Sequence, residues 1–449
     1  MTRPASLAII LGAAFGALVT LQPVSDSDLF WHIATGRRTL ELALPRVDVF
    51  SWTITGAPVL TDQWLGDAIL AAARALGDWR GVLALRALAV AALVTLLVDT
   101  ALTARPRAPS VAALAALPAI ALSRFAWTDR PELLGLLCFA LLVRLLREGD
   151  RGLLLSIPLL FVWAQLHGSY ALGLALVLAA CTARTITERR DRWRFAPIAA
   201  AALVATLITP AGLSTWTSSA GHFFAPPRFV AEEGVPDPRT LAGALFVLVL
   251  ALVVATATLG RRASLDEIVA LVPVSFVALT ATRYTPLLAI AAAPYFASRW
   301  PDPLARWRRK AVPSSAFVTR AVPAVAALIL VIAIGLADAN VDQRGYPRAA
   351  LAALPPGPGL LNEYDWGGYL IEYAPRTPVF IDGRLFPFVP GVLEDYRAIV
   401  GAHPGWEDVA ARRGVTAMLV RPTDPIAVRA PDRGWRVAYA DATAVVLLR

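Results

Sequence analysis

"VSDSDLFWHIATGRR", residues Val24–Arg38, follows an apolar run, Ala5–Leu21, with only Gln22 and Pro23 between them. A hydrocarbon core about 30 Å thick asks for roughly 20 residues of apolar helix, so Ala5–Leu21 reads as a membrane span. Two aspartates, a tryptophan and a histidine then stand at headgroup depth, where charged groups are costly unless paired, wetted or used. The next apolar run begins only at Gly81. The quoted stretch therefore opens a segment, Gln22–Arg80, too long to be a connector, and the fold is read outward from it.

Composition places the chain in the membrane. Of 449 residues 57% are hydrophobic and 17% charged, against roughly 25% charged in soluble domains, and mean hydropathy is +0.59. Arg3 before the first span resembles a signal peptide, but no small-x-small cleavage site precedes Gln22-Pro23, so an uncleaved anchor is expected. The net charge of +9 is almost wholly arginine, with Lys310 the single lysine. These residues cluster in loops, where they set topology; no nucleic-acid partner is expected. Cys138 and Cys181 fall inside apolar runs, which excludes a disulfide framework.

The apolar runs number about eleven: Ala5–Leu21, Gly81–Leu102, Val111–Phe125, Leu133–Leu146, Leu153–Leu166, Ser169–Ala183, Phe195–Ile208, Leu241–Leu259, Ile268–Leu279, Thr285–Phe296 and Ala321–Leu336. Alternate loops should then collect arginine. One set holds Arg3, Arg105 and Arg107, Arg147 and Arg151, "RTITERRDRWR" (184–194), Arg261 and Arg262, and "RWRRK" (306–310). The expectation is a cytoplasmic N-terminus in the cytoplasmic (inner) membrane, with everything after Leu336 outside, periplasmic or equivalent.

Residues 1–340 are thus expected to form a transmembrane domain with a long first outer loop, 22–80. That loop carries amphipathic helical patterns, Leu29, Phe30, Ile33, Leu40 and Leu44 on one face, then Trp64, Leu65, Ala68, Ile69, Ala72 and Leu76. Such helices are suited to lying in the interface, with Trp31, Trp52, Trp64 and Trp79 as anchors. Residues 341–449 read as a small extracytoplasmic α/β domain. "GPGLLNEY" (357–364), "TPVFIDGR" (377–384), "TAMLVRP" (416–422) and "WRVAYADATAVVLLR" (435–449) have strand character; "LEDYRAIV" (393–400) and "GWEDVAARRG" (405–414) are helical.

The polar residues assigned to the outer side make one constellation: Asp26, Asp28 and His32; Asp129, Arg130 and Glu132 in "WTDRPELL" (127–134); Gln165 and His167; His222, Arg228, Glu232 and Glu233; Arg283 and Tyr284. Each has a plainer use. Asp26 and Asp28 suit a helix cap, His167 a hydrogen-bonded packing role, Arg130 and Arg283 headgroup anchoring, Glu232 or Glu233 a solvated loop. Together they suit a lipid-bound phosphate substrate. A carboxylate can act as general base or hold a divalent cation, while guanidiniums neutralise phosphate.

These pieces resemble a known group. "DSDLFWHIATGRR", "PRVDVFSWTITGAP", "DQWLGD", "DRPELL", "WAQLHGSYALG", "TPAGL", "TRYTPLLAIAAAP", "NEYDWGGYLIEY" and "VFIDGR" together are similar to an uncharacterised family of bacterial polytopic membrane proteins. The acidic first outer loop, span count and outer α/β tail resemble the GT-C superfamily of glycosyltransferases, which includes protein mannosyltransferases and oligosaccharyltransferases. The resemblance implies that Asp28 or Asp26, with Asp28 favoured, is the catalytic base or a ligand of a divalent cation such as Mg or Mn. It also implies that "YDWGGYLI" is similar to the aromatic acceptor-binding signature of oligosaccharyltransferases; a glycine-permitted turn at Trp366–Gly368 accounts for it more simply.

The leading expectation is a cell-envelope glycosyltransferase that moves a sugar or glycan from a polyprenyl-phosphate donor to a glycan, lipid or protein acceptor. His32, Asp129, Arg130, His167, Glu232 and Arg283 would bind substrate. A transporter or flippase would put charges at mid-membrane and repeat its halves, and neither occurs. An inactive GT-C-like scaffold would have lost the outer carboxylates and arginines. An O-antigen ligase or polymerase would carry its long outer loop late in the chain, whereas here it is early.

Overall fold

The computed structural model describes residues 3–188, 192–224, 230–259, 263–302, 316–342 and 344–449. Arg228, Arg261, Arg262 and the "RWRRK" run lie outside the described residues, as does the side chain of His222. The helices before the tail are α1 (Arg3–Val19), α2 (Asp28–Leu40), α3 (Trp64–Ala104), α4 (Pro109–Ser123), α5 (Pro131–Leu145), α6 (Asp150–Leu166), α7 (Tyr170–Thr187), α8 (Phe195–Leu207), α9 (Ser214–Phe224), α10 (Leu241–Leu259), α11 (Leu265–Thr280), α12 (Thr285–Arg299) and α13 (Ala316–Leu336). The tail adds β1 (Leu360–Asn362), α14 (Gly367–Tyr373), α15 (Gly391–Val400), α16 (Trp406–Arg413), β2 (Ala417–Val420), α17 (Pro425–Arg429), β3 (Arg436–Ala440) and β4 (Val445–Leu448).

Every apolar run expected to span falls on a helix. By length and composition Trp64–Ala104, Pro109–Ala126, Tyr170–Thr187 and Leu241–Leu259 can cross a membrane, while Ser6–Val19, Phe195–Leu207 and Val322–Leu336 are shorter apolar helices. Pro109 and Pro131 sit at helix starts, where a missing N–H costs nothing. Helix α11 starts with a reciprocal Ser264–Glu267 capping box.

The chain divides into two compact units, Met1–Gln22 with Arg80–Ala339 and Pro23–Trp79 with Asn340–Arg449. The break inside α3 is local: Gly77 and Asp78 leave helical geometry, Asp78 with a φ of 54°. In the first unit α12 is buried from Thr285 to Ala297. Its alanines and the Ala112, Ala115, Ala116 and Ala119 stripe of α4 let the two backbones close up, as small residues do in membrane bundles.

In the second unit the sheet order is β1-β2-β4-β3, with β1 parallel to β2 and the other pairs antiparallel. Leu360, Trp366, Leu370, Val379, Ala417, Leu419 and Val446 fill its core. "TPVFIDGR" is a correction: it is not a strand. Val379 bridges Ser51 alone, and the Asn362 side chain takes the next backbone groups, accepting from Phe380 N at 2.7 Å and donating to Ile381 O at 2.9 Å. The interfacial reading is corrected too for α2, Trp52 and Trp79. The Trp52 indole donates to Leu360 O at 2.9 Å, and Phe30 of α2 lies edge-on to Trp79, Tyr346, Tyr369 and Tyr373. The apolar face of α2 is spent on this core.

Candidate functional site

The acidic stretch is a tight turn entering α2. Asp26 Oδ1 accepts the Asp28 N–H at 3.0 Å in an Asx turn; the N-cap of α2 is Ser27, with no side-chain cap bond, and Asp28 is the first helical residue, so neither aspartate has the N-cap position expected of it. Four places in the tail hold this turn. Asp342 N donates to Val24 O at 2.7 Å beside a Val24–Val341 bridge. The Tyr346 hydroxyl donates to Ser25 O at 3.2 Å. Gly368 lies so close to Ser27 O that a Cβ there would overlap it, and Gly383 stands likewise against the Asp28 carboxylate. One turn on, buried His32 meets buried Asp67 at 2.6 Å, Nδ1 to Oδ1, where α2 crosses α3 closely enough to require Gly36.

Behind the turn lies a buried ion network. Arg384 reaches Asp382 and Asp48, each at 2.6 Å, and both aspartates are fully buried. Asp48 also accepts from Ser51 N at 2.9 Å and Ser51 Oγ at 2.7 Å. Burial opposes the Arg384 charge, and the two carboxylates more than offset it, holding the guanidinium above its ordinary range.

"NEYDWGGYLIEY" has a structural use. Trp366 is buried, its indole donates to Gly345 O at 2.8 Å, and the Arg421 guanidinium lies over its ring 5.2 Å from the centroid. The stretch is a short turn into α14, as the simpler reading had it. Glu363 beside it is 3% exposed and pushed up to about 8, first by burial and then by the Asp424 carboxylate. Arg421 pairs with it at 2.8 Å and pulls the other way, but at 38% exposure its charge is screened. The folded chain thus holds a proton here above pH 4.5, the group's ordinary value, where the unfolded chain has released it. This contribution is complete below 4.5 and is lost as pH rises through 8. Melting temperature should fall from about pH 5 to about pH 9 more steeply in wild type than in Glu363→Gln; parallel profiles would show that Glu363 does not titrate there.

In the first unit three distant loops converge. Arg130, capping α5, pairs with Glu232 at 3.1 and 3.3 Å. Arg283 pairs with Glu233 and stands 3.9 Å from Glu132. Thr282 ties the loops together, its N–H and hydroxyl both donating to Gly234 O at 2.8 and 3.1 Å. Two guanidiniums thus face three carboxylates, so neither glutamate of "AEEG" is a merely solvated loop residue. Asp129 pairs instead with buried Arg86 at 2.7 Å, and Arg86 also donates to Thr20 O at 2.6 Å and to Gln22 O. His167 Nδ1 lies 2.8 Å from Ser169 Oγ and packs on Gly135, one turn into α5.

Asp26 and Asp28 share one turn of the second unit, while His32, a helical turn on, is paired with Asp67; Arg130, Glu232 and Arg283 come together in the first unit. Among the described residues no group of three or more His, Cys, Asp or Glu is placed to hold a metal ion. Asp26 and Asp28 offer two carboxylates, which suits a Mg2+-like ion only with substrate phosphate oxygens and water completing the shell.

No family model matches the chain, and no curated protein sequence matches it. Solved structures do. The likeness is to an oligosaccharyltransferase. The archaeal oligosaccharyltransferase AglB from Archaeoglobus fulgidus, solved with an inhibitory peptide and a dolichol-phosphate, aligns over 92% of this chain and 69% of its own at a TM-score of 0.61 and 13% identity. A second structure of the Archaeoglobus fulgidus oligosaccharyltransferase, tethered to an acceptor peptide containing the NVT sequon, aligns over 93% and 69% at 0.58 and 13%. At this identity the shared property is the fold.

Sequence reasoning passed over Arg86, Asp48, Arg384, Tyr346 and Gly383. Arg86 sits within an apolar run, where a lone arginine signals a buried partner. The aspartate of "PRVDVF" and the arginine of "FIDGR" carried a signal as well, but nothing in their spacing shows that they meet.

Proposed function

We propose that the chain is a membrane glycosyltransferase that takes a sugar or glycan from a polyprenyl-phosphate-linked donor and passes it to an acceptor outside the cytoplasmic membrane. What carries this reading is the fold likeness over nine-tenths of the chain to an oligosaccharyltransferase solved with an inhibitory peptide and a dolichol-phosphate and, separately, with a tethered acceptor peptide. The braced acidic turn supports it.

In the proposed reaction Asp28 accepts the proton of the acceptor's nucleophilic group as that group bonds to the sugar's anomeric carbon. The carbon–oxygen bond to phosphate breaks, and its electron pair leaves with the phosphate. Phosphate binding is assigned to Arg130 and Arg283, as hydrogen-bond donors whose planes are set by Glu232, Glu233 and Glu132. His32, on α2 one turn beyond Asp28, and His167 position substrate. Asp129, committed to Arg86, serves the same end by fixing the start of α5. In the alternative role, Asp26 and Asp28 would instead hold a divalent cation, which would supply charge for the leaving phosphate. About eleven spans, an inward N-terminus and an outward second unit complete the proposal.

The experiment is direct. Purified chain in detergent is incubated with the lipid-linked saccharide fraction of its own host and with host envelope extract, with and without EDTA. Consumption of lipid-linked saccharide with appearance of glycosylated product is expected. Lipid that stays intact in every extract counts against the reading.

A further inference from the structure

We infer that Gly383 positions the Asp28 carboxylate, by leaving empty the space that carboxylate occupies. The activity part of its test rests on the proposed reaction; the steric part does not. A Cβ at Gly383 would overlap Asp28 Oδ1 and lie 2.8 Å from its Cγ and 3.1 Å from Trp31 Nε1. Those are its three nearest heavy atoms, and two belong to Asp28. Gly383 is not among the residues with positive φ, so its backbone accepts alanine without strain. The glycine here answers a need for space and not a need for conformation.

Neither partner has backbone freedom to give way. Gly383 lies between Asp382 and Arg384, which are locked to each other and to Asp48, and its carbonyl accepts from the Tyr364 hydroxyl at 3.3 Å. The turn carrying Asp28 is pinned at Val24, Ser25 and Ser27. What can move is the end of the Asp28 side chain, by rotation about χ1. An alanine at 383 therefore turns the carboxylate away while leaving the fold in place. Gly368 is the contrasting case. A Cβ there meets backbone, Ser27 O, so alanine at 368 must displace the turn itself.

The test uses the full chain in detergent, with thermal unfolding and the transfer assay above. Gly383→Ala should transfer no faster than Asp28→Asn, roughly 100-fold or more below wild type, and lose less melting temperature than Gly368→Ala. Most of the shift it does cause should be lost in the Asp28→Ala background, where the obstructing carboxylate is gone and only the 3.1 Å approach to Trp31 Nε1 remains, a coupling that general destabilisation would not show. If Gly383→Ala folds poorly, recovery in the Asp28→Ala/Gly383→Ala double variant supports the inference, and equal failure overturns it. Wild-type transfer by Gly383→Ala beside an inactive Asp28→Asn would overturn it and leave the proposed reaction standing. Wild-type transfer by Asp28→Asn sinks the proposed reaction, and the melting cycle still decides the steric relation.

Discussion

Asp28→Asn is expected to lower transfer by roughly 10²–10⁴-fold, the range over which a positioned general base contributes, while the protein folds as before. Asparagine keeps the shape of the side chain and removes its ability to take a proton. Asp26→Asn is expected to do less. The Asp26 oxygen that accepts the Asp28 N–H is retained in the amide, so the turn survives. Initial rates of both variants, with melting temperatures as a folding control, separate the two aspartates. Equal and severe losses would favour joint metal binding, and EDTA sensitivity of wild type would then follow. Wild-type rates in both would remove the acidic turn from the chemistry.

The second large effect is on stability. Arg384→Met is expected to cost about 3–5 kcal/mol, because removing one partner of a buried ion pair strands the other. Here two carboxylates are stranded, Asp382 and Asp48, both fully buried. Methionine fills much of the same volume, so the loss reports charge and not a cavity. Adding Asp48→Asn should recover part of it, since one uncompensated charge is gone and Ser51 can still donate to the amide oxygen. Denaturant midpoints of the full chain measure both effects. A loss under about 1 kcal/mol for Arg384→Met would mean that water or another cation reaches the two aspartates.

The helices were legible because apolar length writes them. All eleven runs, the sheet strands at Leu360, Ala417 and Val445, and the helices at Gly391 and Trp406 follow from pattern. Pairing was not legible. Nothing in "PRVDVFSW" says that Asp48 will meet an arginine near residue 384, nor in "ATRYTP" that Arg283 will meet Glu233. Such contacts depend on how distant segments close, which local periodicity does not encode. Trp52 and Trp79 of the first loop misled for a related reason. An amphipathic face records only that it must be covered, and here protein covers that of α2 where lipid was expected. The role of "FIDGR" was hidden most completely, since a glycine that serves as vacant volume looks the same as one that serves a turn.

That one unit is assembled from residues near both ends of the chain has a bearing on biogenesis. When the ribosome has made residues 23–79, the partners of Phe30, Asp48 and the acidic turn do not yet exist, and nearly all of the first unit must be made before they do. Until then an apolar helix and an unneutralised aspartate wait in an unfinished nascent protein, open to chaperones and proteases. Arrest of synthesis before residue 340 should therefore yield a product that is degraded rather than a smaller stable protein.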